Sequence, residues 1–266
     1  MSPLAISLVA FVCVFGGTLL GMFLRTRLPE HHVSDESKDA VKLGIGMIAT
    51  LAALVLGLMI ASAKGNFDTM SSELRQTGSR VILLDRVMAQ YGPETKDARD
   101  LLRRSIDSTI NRIWPEDKIG QAVSAAPEGM VYIETIQDKL RQLSPRTDAQ
   151  RWLQSRALQI SGDIAQGRWL LIEQLGQRSL PMPFFVMLVF WLTVIFASFG
   201  LISPRNATVI TVLLVCALSA AGSLFLIMEL DTPYEGLIKI SGAPLHSALT
   251  HLGQVVPGPL PQQTNP

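Results

Sequence analysis

Of 266 residues, 48% are hydrophobic and 17% charged, short of the roughly 25% charge that keeps an ordinary soluble domain in water. A net charge of +1 leaves no surplus of cations to displace phosphate counterions, which argues against nucleic acid as a partner. Both cysteines, Cys13 and Cys216, lie inside apolar runs, which argues against a disulfide framework, and no Cys-x-x-Cys metal spacing exists.

The charges are concentrated. Residues 64–183 hold 17 of the 23 Lys and Arg and 15 of the 22 Asp and Glu, so the remaining sequence falls into four apolar runs. A bilayer core about 30 Å thick is crossed by roughly 20 helical residues, each rising about 1.5 Å. Residues 3–24 meet that length without a charge and are closed by Arg25 and Arg27. No Lys or Arg precedes this run, it is too long for a cleaved leader, and no A-x-A pattern follows, so it reads as a retained helix. The connection that follows contains His31 and His32 with Asp35, Glu36 and Asp39, the one cluster resembling a metal site. Adjacent histidines in a charged loop read as solvated, and no metal or other cofactor is expected.

Residues 43–63 form the second run, between Lys42 and Lys64. Along it Ala49, Ala53, Gly57 and Ala61 recur every four residues. Lipid gives helices little hydrophobic reason to associate, so small residues that allow close approach supply van der Waals contact instead. The stripe is therefore a packing face within one subunit, or a subunit interface and narrow apolar constriction about an axis. In the second case Lys64 and Asp68 sit one turn apart at the mouth, where charged rings bias ion choice. Gly17 and Gly21 make a shorter version of the same contact on the first run.

No proline interrupts the chain between Lys42 and Gly92, so the second run is predicted to continue into water as one helix, on the order of 70 Å long. Its seam is Met70, Leu74, Thr77, Val81, Leu84, Met88 and Tyr91, with the alternating spacing of four and three that marks a coiled coil. Gly92-Pro93 stops it. A helix follows over 93–114, closed by Trp114-Pro115; then a loop to 128, a shorter helix over 128–143, and a long one over 147–177 with Thr147 as N-cap. The seam of that last helix is Leu153, Ala157, Ile160, Ile164, Gly167 and Leu171, which predicts antiparallel packing on the Met70–Tyr91 seam. Leu180-Pro181-Met182-Pro183 is the hinge back to the membrane.

Residues 184–202 and 207–228 form the second pair of spans, joined by Ser203-Pro204-Arg205-Asn206. Neither span carries an ionisable residue or a break, which lowers the case for a transporter. Asp231, Pro233 and Gly236 define a turn where the chain leaves the membrane. Leu245, Ala248, Leu249 and Leu252 mark a short amphipathic helix for the membrane surface or the stalk.

The expected organisation is an all-α membrane protein in five parts. Residues 1–63 hold the first transmembrane pair, 64–183 a helical extramembrane stalk, 184–228 the second pair, 229–252 the exit turn and amphipathic helix, and 253–266 a disordered Pro-rich tail. No phosphate-binding glycine loop, H-E-x-x-H or nucleophile elbow is present, so no catalytic residue is assigned and no enzyme is expected. Arg25, Arg27, Lys38, Lys42 and Arg205 share one face and weakly place it in the cytoplasm; Lys64, Arg75, Arg168 and Arg178 pull the other way. Orientation stays open.

Several stretches together resemble the bestrophin-like family of bacterial membrane proteins. They are Leu28-Pro29 with His31-His32, Ala49 to Gly57, Ala61-Ser62-Ala63-Lys64 and Phe67-Asp68. Leu84-Asp85-Arg86, Tyr91 to Thr95, Trp114-Pro115, Arg168 to Leu171 and Leu230 to Gly236 complete the set. The resemblance implies paired end spans around a helical domain, and a remote tie to bestrophins, which are pentameric ion channels with the second span lining the pore. It also implies a cytoplasmic middle domain, and it supplies no functional residues to carry over. The sequence is thus read as a homo-oligomeric, channel-like protein of a bacterial inner membrane whose partners are the lipid bilayer, further copies of itself and inorganic ions. The alternative is a non-conducting scaffold or sensor whose stalk binds a partner protein.

Overall fold

The computed structural model describes residues 2–27, 35–114, 128–176, 182–234 and 236–252. His31, His32, residues 115–127, residues 177–181 and the Pro-rich tail lie outside the described residues; of the predicted hinge, Leu180 and Pro181 fall there, while Met182 and Pro183 open α6. The described chain is all helix and connection, without strand: α1 (Pro3–Arg25), α2 (Asp35–Tyr91), a 3-10 turn (Pro93–Thr95), α3 (Lys96–Ile113), α4 (Glu128–Arg141), α5 (Asp148–Gly176), α6 (Met182–Ile202), α7 (Ala207–Leu230) and α8 (Ala243–His251). Four of these, α1, α2, α6 and α7, are long and apolar enough to cross a membrane. α2 is one element of 57 residues that begins at Asp35, earlier than the apolar run alone signals, because Asp39 and Lys42 pair one turn apart and support the first turns.

The chain divides into two units, Met1–Thr69 with Gln177–Ile240, and Met70–Gly176 with Ser241–Pro266. The first unit is built on α1, the membrane part of α2, α6 and α7. Its core contains Val14, Ala52, Met59, Leu188, Leu224 and Ile227. α1 and α6 run parallel at close range because both present small residues. A methyl group on Gly17 would lie 2.9 Å from the Thr193 carbonyl oxygen, one on Gly21 would enter the Ala197 carbonyl, and one on Gly200 the Thr18 carbonyl. The two helices also cap each other. Arg25 donates to the carbonyls of Ile202, at 3.2 Å, and Ser203, while Arg205 donates to the Met22 carbonyl, at 3.1 Å from Nε. Each arginine thus meets carbonyls that a helix C-terminus leaves without intrahelical partners.

In the second unit Leu84 and Met88 of α2, Leu102 of α3, Ile136 and Leu140 of α4 and Ile160 of α5 are all essentially buried. α5 lies antiparallel to α2. The Gln150 side-chain amide donates to the Tyr91 carbonyl at 3.2 Å, and at the other end Gly167 comes up against Arg80 and Thr77. Gly92, at φ 137°, turns the chain out of α2, and Thr95 closes the turn by donating to the Met88 carbonyl at 2.6 Å. α8 belongs to this unit, with Leu245, Ala248 and Leu252 buried. Gly78 gives it room: a methyl there would sit 2.9 Å from the Pro244 carbonyl oxygen.

Candidate functional site

The membrane part of α2 buries only one side. Ile45, Ala52, Met59 and Ala63 face the core of the first unit, Ile48, Ala49, Val55, Leu56 and Ile60 are half-buried beside them, and the opposite side is open. Only 17% of its most apolar window is buried within the chain, against 39% for α1. On the open side two stripes run next to each other. One is large and apolar, with Leu43, Met47, Leu54 and Leu58 all about two-thirds exposed or more. The other is small or hydroxylated: Gly46, Thr50, Ala53, Gly57 and Ala61, all exposed, with nothing within 4 Å of where a methyl group would stand on Gly46 or Gly57.

Of the four small residues singled out by sequence, Ala53, Gly57 and Ala61 lie on this open stripe, while Ala49 is half-buried against the core. The reason is helical pitch. A strict four-residue repeat drifts by about 40° per step around a helix of 3.6 residues per turn. A repeat that mixes threes and fours holds one line, and it adds Gly46 and Thr50, which the four-residue repeat passes over.

Continued in both directions, that line meets charge. Lys64 and Asp68 pair on the open side beyond Ala61, with side chains 56% and 58% exposed, and the Lys64 ammonium also lies 5.6 Å from the centre of the half-buried Phe67 ring. At the other end Asp39 and Lys42 pair at 2.9 Å. The steps from Asp39 through Lys42, Gly46, Thr50, Ala53, Gly57, Ala61 and Lys64 to Asp68 are three, four, four, three, four, four, three and four. The Asp39–Lys42 pair escaped the sequence reading although its signal, opposite charges three apart, was available.

The other predicted positions are elsewhere. Leu74, Val81, Leu84 and Met88 of α2 and Ile160 and Ile164 of α5 are buried in the second unit, and Leu153 is half-buried there. The unit's strongest polar contact went unread. Arg99 of α3 donates from Nε and a terminal nitrogen to the two oxygens of buried Asp85, at 2.7 and 3.1 Å. That hydrogen bond raises the Arg99 pKa above its ordinary value, against the opposing effect of burial. Burial, with the nearby charge of Arg112, lowers that of Arg168.

In the exit turn, Asp231 caps α7 with its backbone N–H on the Ile227 carbonyl at 3.1 Å, and the Pro233 carbonyl accepts from Ile240 at 2.8 Å. The anchor of the turn is Glu229, a role the sequence did not announce. It is buried at the end of α7 and accepts from the Leu237 N–H at 2.9 Å. Gly236, at φ 94°, is required twice over: a side chain there would be strained and would run into the Glu229 carboxylate. Cys13 and Cys216 are both free and exposed on α1 and α7. No group of metal-ligand residues gathers among the described residues.

The sequence matches the Bestrophin-like domain over residues 12–245. No curated protein matches it. Two crystal structures of a bacterial bestrophin homologue from Klebsiella pneumoniae, each carrying a single mutation, share the fold. One aligns with a TM-score of 0.56 at 13% identity, covering 92% of this chain and 97% of the homologue. The other gives 0.55 at 13% identity, covering 90% and 97%. Four apolar spans, the all-helical architecture and a family match along most of the sequence agree. The chain is a membrane protein and belongs to the bestrophin-like family.

Proposed function

We propose that the protein is a homo-oligomeric ion pathway of a bacterial inner membrane, a pentamer on the bestrophin resemblance, with α2 beside the axis and the second unit standing outside the bilayer as a helical stalk. The observation that carries this reading is the open stripe of α2. Glycine and alanine facing lipid forgo the contacts that larger side chains would make, whereas small residues at a helix–helix interface let backbones approach. Among the described residues nothing lies within 4 Å of a methyl group placed on Gly57, and on this reading a second copy supplies the partner. Around an axis, neighbouring α2 helices pack through the small stripe, and the adjoining stripes form a narrow apolar passage.

Ion flux from liposomes tests this. Wild-type protein is expected to release trapped ions, and Gly57→Leu or Ala53→Leu to change conductance in planar bilayers with the chain still folded. Absence of flux from correctly assembled protein would contradict it.

One observation favours the scaffold reading: Trp152 and Trp169, on α5, are 65% and 56% exposed. Exposed large aromatics are enriched where proteins bind partners. On that reading reconstituted protein is silent, and Trp152→Ala reduces capture of a partner protein.

A further inference from the structure

The C-terminal ends of α1 and α6 bring three arginines to one edge of the first unit. Arg25 reaches across to the carbonyls of Ile202, at 3.2 Å, and Ser203, and Arg205 reaches back to that of Met22. Arg27 lies over the Phe23 ring, 5.4 Å from its centre. We propose that these three guanidinium groups form a binding site for the phosphate of an anionic phospholipid, whose acyl chains run along the exposed apolar side chains of α1 and α6. The site does not depend on whether the protein conducts.

Charge makes the first case. Among the described residues no carboxylate pairs with any of the three. α1 and α6 contain no acid, the first acid of α7 is Glu229 at its far end, and the acid nearest in sequence to Arg27 is Glu30. Asp39, at the start of α2, is already taken by Lys42. The C-termini of α1 and α6 bring about half a negative charge each and the N-terminus of α7 about half a positive one, which leaves these elements a surplus of roughly two positive charges. Donor capacity makes the second case. A guanidinium carries five N–H groups. Arg25 uses one terminal nitrogen on the carbonyls, and Arg205 uses Nε and one terminal nitrogen. The caps therefore hold both groups in place while leaving donors free, in the planar fork that suits phosphate oxygens. The apolar surroundings choose between a lipid and a free phosphate. In the turns just before the arginines, Leu20, Phe23, Leu24 and Phe199 are all large, apolar and exposed. A free phosphate touches none of them, whereas a phospholipid lays hydrocarbon on these side chains and its headgroup on the cations above. Basic residues at a membrane edge recognise anionic headgroups in this way.

The test is native mass spectrometry of the full-length protein in detergent, with phosphatidylglycerol and phosphatidylcholine added at equal concentration. Wild type is expected to retain the anionic lipid several-fold over the zwitterionic one. Arg27→Gln removes only a ring contact and Arg205→Gln a helix cap, and an unchanged size-exclusion profile verifies the fold of each. Each is expected to lower retention of phosphatidylglycerol about five-fold, the order expected for one basic residue facing an anionic headgroup. Arg141→Gln, which removes an exposed charge from the second unit, should leave retention unchanged. Equal retention of the two lipids by wild type, or full retention of phosphatidylglycerol by both Arg27→Gln and Arg205→Gln, overturns the assignment. A loss with Arg141→Gln as large as with Arg27→Gln also overturns it, since retention would then follow net charge and not this site. Displacement of the lipid by millimolar inorganic phosphate would give the site to a free anion and overturn the lipid.

Discussion

The first and second spans carry the same kind of signal, small residues at helical spacing, and the chain treats them differently. On α1, Gly17 and Gly21 are closed against α6, whose Thr193, Ala197 and Gly200 answer them at backbone distance. On α2, Gly46, Ala53, Gly57 and Ala61 meet open space. The distinction is not in the stripes themselves but in whether a matching stripe exists elsewhere in the sequence. α6 supplies one and its ends are locked by exchanged arginine caps, so that contact is internal. Nothing among the described residues answers α2, and the account assigns its complement to another copy.

The largest expected effect separates the two stripes directly. Gly21→Leu forces α1 away from the Ala197 and Leu201 backbone and should cost about 3 kcal/mol or more, read as loss of a monodisperse peak in detergent. Gly57→Leu should leave the fold of each subunit intact and act only on assembly or conductance. Equal damage from both would break the comparison.

A second substitution asks whether damage to packing alone mimics damage to the open stripe. Leu84 is fully buried in the second unit, and Leu84→Ala should lower stability by about 3 kcal/mol in a thermal melt while the conductance of surviving protein stays put. Gly236→Ala comes next. It combines the strain of φ 94° with a clash on Glu229 and should cost about 1–2 kcal/mol, and Glu229→Gln, which keeps an acceptor for Leu237, less.

The smallest effect is a titration. Burial, followed by the charge of Glu94, raises the Tyr91 phenol above its ordinary value of 10.0. For a group whose folded pKa is raised, the stabilising share is complete below the unfolded value and is lost as pH climbs through the folded one. One of the three tyrosines should therefore ionise late in an ultraviolet titration, and Tyr91→Phe should remove that late step.

Much of this architecture was legible in the sequence because periodicity and charge report burial. The four apolar spans, and the seams running through Leu84 and Ile160, are patterns of which side of a helix meets water. What escaped was pairwise. Arg99 finds Asp85 across 14 residues, and Arg25 and Arg205 reach carbonyls some 180 residues away, partners that no periodicity announces. Ala49 was grouped with Ala53 and Gly57 because a four-residue repeat was followed where a mixed three-and-four repeat holds the line. Asp231 caps α7 as its place before Pro233 and Gly236 suggested, whereas the role of Glu229 escaped, because a buried carboxylate receiving a backbone N–H looks in sequence like one more acid beside a proline.

The claim on which the rest depends is that the open side of α2 is completed by further copies of the same chain. Native mass spectrometry of the purified protein, released from detergent, counts those copies directly. The account predicts a single closed assembly of identical subunits, five on the family resemblance; a monomer would contradict it and end the ion-pathway reading with it.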